Sequence, residues 1–161
     1  MTPAPRRRIL FLCTGNACRS QMAEAILRHL GGDRFESYSA GSHPAGFIHL
    51  LAELALERMG ISIESQSSKS WDEFVDTQID AAITLCDAAA AIPCPVFPGA
   101  PIRAHWSTLD PSQQPGTDEE RTKFSLSVAQ RLRTKIEALI ALDWNAPKAE
   151  LEKRLRFLGE I

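Results

Sequence analysis

Cys13 and Arg19 stand six positions apart in the run Cys13-Thr14-Gly15-Asn16-Ala17-Cys18-Arg19-Ser20, which pairs a sulfur nucleophile with a planar cation. A cysteine attacks as its thiolate, and a nearby guanidinium favours that form over the thiol. The same guanidinium can grip two oxygens of a tetrahedral oxyanion side by side, which an ammonium does less well. Gly15 allows close backbone approach and positive φ, while Asn16 tolerates the left-handed region and carries an amide that can tie a loop together. The apolar run Ile9-Leu10-Phe11-Leu12 precedes these residues and Gln21-Met22-Ala23-Glu24-Ala25-Ile26-Leu27 follows them, so a strand hands over to a helix through a tight polar loop. A helix N-terminus offers unpaired N–H groups and a partial positive charge. Thr14, Gly15, Asn16, Ala17, Cys18 and Arg19 therefore form the expected oxyanion cradle, with Cys13 at its mouth.

The positioning elements alternate. Residues 8–13 read as a buried strand, bounded by charge before and by the loop after. A first helix over 18–30 carries Met22, Ala25, Ile26 and His29 at helical spacing and stops at Gly31-Gly32. A strand over 35–40 and a helix over 47–59 follow, the latter stopped by Gly60. Ser70 and Glu73 fit the spacing of a capping box for a short helix over 71–77. Residues 80–86 read as another apolar strand and 102–106 as a last one, with helices over 118–142 and 147–158, Pro147 being the first residue of the second. Between Cys86 and Cys94, Ala88-Ala89-Ala90-Ala91 favours helix, but prolines at 93, 95, 98 and 101 forbid its continuation. Alternating strands and helices predict an α/β fold, a four-stranded parallel sheet with helices on both faces in three layers. Ligands of such sheets bind beyond the carboxyl ends of the strands. Cys13 and Cys86, each at the end of a predicted strand, should open onto the same rim.

Composition excludes several classes. With 161 residues the chain is expected to form one domain, 1–161. A net charge of −2 and a pI near 6.1 argue against nucleic acid or an anionic membrane as the main partner. Arg6-Arg7-Arg8 is the only basic run, and the apolar stretch after it is too short for a signal peptide or a membrane span. A cytoplasmic location is expected, where four cysteines are catalytic or redox-active rather than a disulfide framework. The four histidines show no metal-ligand spacing and no dinucleotide glycine motif occurs, so neither a metal nor a tightly bound cofactor is expected.

The run Cys-Thr-Gly-Asn-Ala-Cys-Arg-Ser-Gln-Met-Ala-Glu resembles the phosphate-binding loop of the low-molecular-weight protein tyrosine phosphatase superfamily, and within it the arsenate reductase branch. Ser39-Ala40-Gly41, Thr84-Leu85-Cys86, His105-Trp106 and Asp110-Pro111 are similar to further landmarks of that branch in the same order. The resemblance covers a core of about 8–142 and leaves 144–161 as an extra C-terminal helix. It implies Cys13 as nucleophile, Arg19 as oxyanion clamp, Ser20 as hydrogen-bond donor to the thiolate and Asp110 as general acid. By composition alone, Asp110-Pro111 could equally be a turn. Lys69 could approach the loop from beneath, where some related enzymes keep a potassium ion, or be a solvated lysine.

The other cysteines choose the reaction that the resemblance implies. Hydrolysis of a phosphate ester needs one thiolate, whereas reduction of arsenate needs further thiols to receive two electrons. In the resembled enzymes a disulfide passes from a first pair to a second and an external thiol system, thioredoxin, reduces it. Cys86 corresponds to the attacking thiol and Cys94 to the resolving one, with Cys18 expected to be buried and inert. Cys94 follows Cys86 at a wider spacing than in those enzymes and is bracketed by Pro93 and Pro95, which leaves room for glutaredoxin or a low-molecular-weight thiol as donor. Arsenate is the expected substrate, with phosphate or sulfate as competing anions. A phosphatase acting on aryl phosphates is the alternative enzyme, although Ser112 stands where such enzymes place an aromatic residue. A redox-sensing or oxyanion-binding module is the non-enzymatic alternative.

Overall fold

Ile9, Leu10, Phe11 and Leu12 are fully buried at the centre of β1 (Arg7–Cys13), and a strand apolar on both faces needs both faces covered. The computed structural model describes residues 6–91, 95–99 and 101–161. In it β1 pairs in parallel with β2 (Phe35–Gly41) on one side and β3 (Ala81–Thr84) on the other, and β3 pairs in parallel with β4 (Ile102–His105). The strand order is β2-β1-β3-β4. The chain leaves β1 in opposite directions toward β2 and β3, so the crevice beyond the carboxyl ends of β1 and β3 is the topological switch point.

Alternation along each strand divides the core. Ile9, Phe11, Ala81 and Ile83 face one cluster with Met22 and Ile26 of α1 (Arg19–Gly31), Leu56 of α2 (Leu50–Arg58) and Leu132 and Ile136 of α4 (Asp118–Ile140). Leu155 of α5 (Lys148–Leu158) joins the same cluster beside Trp106. Leu10, Leu12 and Ala82 face the other, with Trp71, Phe74, Ile79 and Phe97. A 3-10 turn over Trp71–Phe74 and the segments carrying Ile79 and Phe97 make this second cover, and the five-residue α3 (Asp87–Ala91) buries Ala89 beside Cys13 and Cys86.

Several boundaries differ from the sequence reading for local reasons. The helix expected over 71–77 is a 3-10 turn over Trp71–Phe74: the backbone bonds close three residues back, from the N–H groups of Glu73 and Val75 to the carbonyls of Ser70 and Asp72, and Ser70 Oγ accepts from the N–H of Asp72. α2 starts at Leu50, after His49 holds an extended backbone and caps the Leu51 N–H with Nδ1. Pro147 caps α5 from outside, with φ −55 and ψ 141. α4 opens on a capping box in which Thr117 and Glu120 exchange bonds. α5 is tied into the body: Trp106 Nε1 donates to the Leu155 carbonyl at 2.9 Å, and Lys135 of α4 donates to the carbonyls of Leu158, Gly159 and Ile161. Burial holds the Lys135 ammonium below its ordinary pKa. Among the described residues no helix is long and apolar enough to cross a membrane.

Candidate active site

The loop after β1 turns its carbonyls outward. Those of Thr14, Gly15 and Ala17 accept from the N–H groups of His43, Ala45 and His49 at 2.8 to 2.9 Å, and that of Asn16 accepts from Gln21 Nε2 at 2.9 Å. Among the described residues, the N–H groups of residues 14–19 donate to no protein acceptor. The first turn of α1 carries no acidic residue. Free amides at the positive end of α1, with no acidic residue in its first turn, make an anion site.

Two features hold this shape. Asn16 has φ 47, in the left-handed region, and its amide oxygen accepts from the N–H of Lys69 at 2.9 Å. Gly41, at the end of β2, lies against the loop: a Cβ there would stand 2.4 Å from the Thr14 carbonyl oxygen and 3.0 Å from the Asn16 nitrogen. Lys69 takes part through its backbone, since its ammonium bonds the Ser67 carbonyl at 2.7 Å and is exposed.

Cys13 is 3 % exposed, with Ser20 Oγ at 3.0 Å from its sulfur. Arg19 reaches across the crevice: Nη1 donates to the Thr108 carbonyl at 3.0 Å, and Nη2 stands 3.4 Å from Asp110 Oδ2. The other oxygen of Asp110 accepts from the Ser112 N–H and hydroxyl at 3.0 and 2.7 Å. Asp110 arrives on the loop leaving β4, which Trp106 and Thr108 fasten to the end of β3 by donating to the carbonyls of Thr84 and Leu85. The clamp and the Asp-Pro carboxylate are thus in contact.

Cys86 lies two residues past the end of β3, because regular pairing stops at Thr84. Its sulfur is 3.3 Å from Thr14 Oγ1 and accepts from the Ala89 N–H at 3.3 Å. Cys13, Cys86 and Ala89 form one small buried cluster. The two sulfurs predicted to share a rim are brought to the same spot by adjacent parallel strands. Next to Cys86, Asp87 accepts from His105 Nε2 at 2.7 Å and from Ser107 Oγ at 3.1 Å; these bonds, His105 first, hold its carboxyl below the ordinary range. Cys18 is buried beside the loop, and burial pushes its thiol up to about 12. Cys94 lies outside the described residues.

The network behind the loop was missed by sequence reasoning. Asn16 Nδ2 donates to Ser20 and Ser39, Ser39 donates to Glu24, and Glu24 pairs with Arg28. Its signal was an acid and a base four positions apart on the first helix, with Glu24 amid apolar neighbours. Among the described residues no group of three or more His, Cys, Asp or Glu side chains could hold a metal ion. A cavity of about 280 Å³ lined by Leu109, Phe124, Arg131 and Lys135, among others, includes none of the cradle residues.

The pattern of the low molecular weight phosphotyrosine protein phosphatases matches residues 8–153, past Trp144 into α5. An arsenate reductase from Halalkalibacterium halodurans is 41 % identical over 128 residues, 80 % of this chain and 88 % of that protein. The fold is similar to that of an arsenate reductase in the phosphate binding state, with a TM-score of 0.70 and 29 % identity over 84 % of this chain and 97 % of that one. It is also similar to a thioredoxin-dependent arsenate reductase from Corynebacterium glutamicum, with a TM-score of 0.57 and 28 % identity over 85 % of this chain and 65 % of that one.

Proposed function

The chain belongs to the low molecular weight phosphotyrosine protein phosphatase family, and we propose that within it the protein is an arsenate reductase that passes electrons through Cys13, Cys86 and Cys94. One observation carries this reading beyond the family's shared anion loop. A second cysteine, Cys86, is buried in one cluster with the candidate nucleophile and touches the loop through Thr14. Hydrolysis of an ester has no use for that thiol.

The steps follow from the donors on hand. Arsenate binds the inward amides of residues 14–19 and the Arg19 guanidinium. The Cys13 thiolate attacks arsenic; an As–S bond forms and an As–O bond breaks, the departing oxygen leaving as water with a proton from Asp110. The Ser20 hydroxyl, 3.0 Å from the sulfur, stabilises the attacking thiolate. Cys86, its thiolate supported by the Thr14 hydroxyl and the Ala89 N–H, then attacks the Cys13 sulfur. A disulfide forms, the As–S electron pair stays on arsenic, and As(V) leaves as As(III) in arsenite. Attack of Cys94 on Cys86 frees Cys13, and an external dithiol such as thioredoxin, or a glutaredoxin or low-molecular-weight thiol, reduces the resulting disulfide.

Cys86→Ser separates the reductive step from the chemistry of the loop. With a thioredoxin system as donor, arsenite production should fall to background while slow hydrolysis of p-nitrophenyl phosphate at Cys13 persists. Undiminished arsenite turnover in this variant, or none from the wild type with any of the three donor classes, would overturn the reading.

A further inference from the structure

The two oxygens of Asp110 are held differently. Oδ1 accepts from the Ser112 N–H at 3.0 Å and from the Ser112 hydroxyl at 2.7 Å. Among the described residues, Oδ2 meets the Arg19 guanidinium alone, with Nη2 at 3.4 Å. Both groups are largely covered, with 15 % of the Arg19 side chain and 25 % of the Asp110 side chain exposed. A carboxyl that gives up a proton must carry it on one oxygen, and a backbone N–H can only donate. A proton on Oδ1 would face the Ser112 N–H and turn the hydroxyl away. The proton therefore belongs on Oδ2, the oxygen on the side of the clamp. An oxyanion gripped by Arg19 draws the guanidinium to itself, and Oδ2 is then free to serve the atom that leaves.

The two bonds at Oδ1 have different origins. The N–H bond comes with the backbone, because Asp110 caps the 3-10 turn over Pro111–Gln113 and any residue with an amide proton at 112 would supply it. The hydroxyl bond requires serine or threonine there. It matters because the terminal torsion of an aspartate is broad, so one N–H bond leaves the carboxyl room to swing, whereas two donors from one residue converging on one oxygen do not. Ser112 is itself held in place. Pro111 is buried beside it, the N–H groups of Gln113 and Gln114 donate to the carbonyls of Asp110 and Pro111, and Arg121 of α4 donates to the Ser112 carbonyl at 3.2 Å.

We infer that Ser112 is a positioning residue for the acid of this site: its hydroxyl holds Asp110 Oδ1 so that Oδ2 presents the proton to the leaving atom. The inference rests on Asp110 as the acid and Cys13 as the nucleophile, and not on arsenate as the substrate, so it is read on aryl phosphates. With these esters a P–S bond forms as the P–O bond to the aryl group breaks, the Asp110 proton goes to the phenolate oxygen, and water later hydrolyses the P–S bond. The quotient kcat/KM covers the chemistry up to loss of the phenol. Phenol leaves poorly without a proton, and p-nitrophenol leaves well without one. A misplaced acid therefore slows the first ester, whereas a damaged cradle slows both.

The experiment measures kcat/KM for phenyl phosphate and p-nitrophenyl phosphate with the reduced full chain. Ser112→Ala keeps the backbone bond and should slow phenyl phosphate by about three- to tenfold, the scale of one hydrogen bond, while p-nitrophenyl phosphate stays within about twofold of wild type. Ser112→Thr retains the hydroxyl and should restore the wild-type ratio of the two esters. Asp110→Asn sets the full worth of the acid and should slow phenyl phosphate by about a hundredfold or more, again with the smaller loss on p-nitrophenyl phosphate. No loss in Ser112→Ala, an equal loss on both esters, or the same selective loss in Ser112→Thr would overturn the role of the hydroxyl while leaving Asp110 as the acid. A wild type that hydrolyses neither ester, or an Asp110→Asn variant without a selective loss, would remove the acid itself and the inference with it.

Discussion

Cys13 and Cys86 share one buried cluster, yet the two sulfurs are held in opposite ways. The Cys13 loop is tied on every side: its carbonyls are taken by residues 43–49 and Gln21, its floor is Gly41, and behind it Asn16 bonds Ser20 and Ser39, and Ser39 bonds Glu24. Cys86 heads a five-residue helix of which only Ala89 is buried. That helix is fastened mainly by the Cys86 contacts and by Asp87 to His105 and Ser107. A nucleophile that must meet a tetrahedral anion gains from preorganisation. In the proposed relay Cys86 first reaches one sulfur and is then reached by another; such a thiol belongs on a segment that opens at little cost, and a helix whose alanines are exposed except for Ala89 forfeits little apolar burial when it does.

The rigid side of this contrast breaks most visibly at Gly41. Gly41→Ala sets a methyl 2.4 Å from the Thr14 carbonyl oxygen, backbone that cannot move aside without carrying the cradle along. The cost should be about 1–3 kcal/mol of stability, the scale of overpacking, read by urea unfolding. Arsenate reduction and aryl phosphate hydrolysis should fall together, because both need the loop. A variant that keeps either activity at the wild-type level would show that the loop tolerates the shift and that its rigidity is not what serves the chemistry.

Cys18 sharpens the contrast within the loop itself, since it is a thiol beside the cradle that burial keeps protonated. Its folded value near 12 lies above the ordinary 9.0. Folded protein therefore holds the proton more tightly than unfolded protein, and this contribution is whole below pH 9 and lost as pH rises toward 12. Between pH 8 and 10 the wild type should lose on the order of 1 kcal/mol of stability that Cys18→Ala does not lose. Parallel stability curves for the two proteins would mean that Cys18 is not held as a buried thiol.

What could be read from the sequence follows how local each feature is. The strand, loop and first helix lie within one stretch whose residues carry their own signals: four apolar residues, a Gly-Asn turn and helical spacing after Arg19. The common rim of Cys13 and Cys86 was also legible, because parallel strands with right-handed crossovers leave no other place for strand ends. The partners of Asn16 were not. Lys69 contributes a backbone N–H, and no side-chain type announces that. Glu24 and Arg28 look like an ordinary surface pair, but β2 covers Glu24 with Ser37 and Ser39 and leaves Arg28 exposed. The turn at 71–74 misled for a similar reason, since a capping-box spacing does not say which N–H the serine takes. Cys94, on which the proposed final transfer depends, lies outside the described residues.

The smallest effect belongs to the looser side, at Asp87. Its carboxyl is exposed, and bonds from His105 and Ser107 hold it below the usual 3.8, so the contribution is present above that value and fades as pH falls through the depressed one. Asp87→Asn removes the charge from the bond with His105 wherever the wild-type carboxyl is ionised. A surface contact of this kind should leave the global melt unmoved, but it fastens a helix that, among the described residues, has few other side-chain anchors. Amide exchange at residues 88–91 should therefore be faster in Asp87→Asn than in wild type near neutral pH, and the difference should close only as pH falls below 3.8 through the depressed range in which the wild-type carboxyl takes up a proton. Exchange equal in the two proteins at neutral pH would mean that α3 is held by the Cys86 and Ala89 contacts alone. The relay segment would then open only when Cys86 itself leaves the cluster, which couples its release to disulfide formation rather than to the tether at its start.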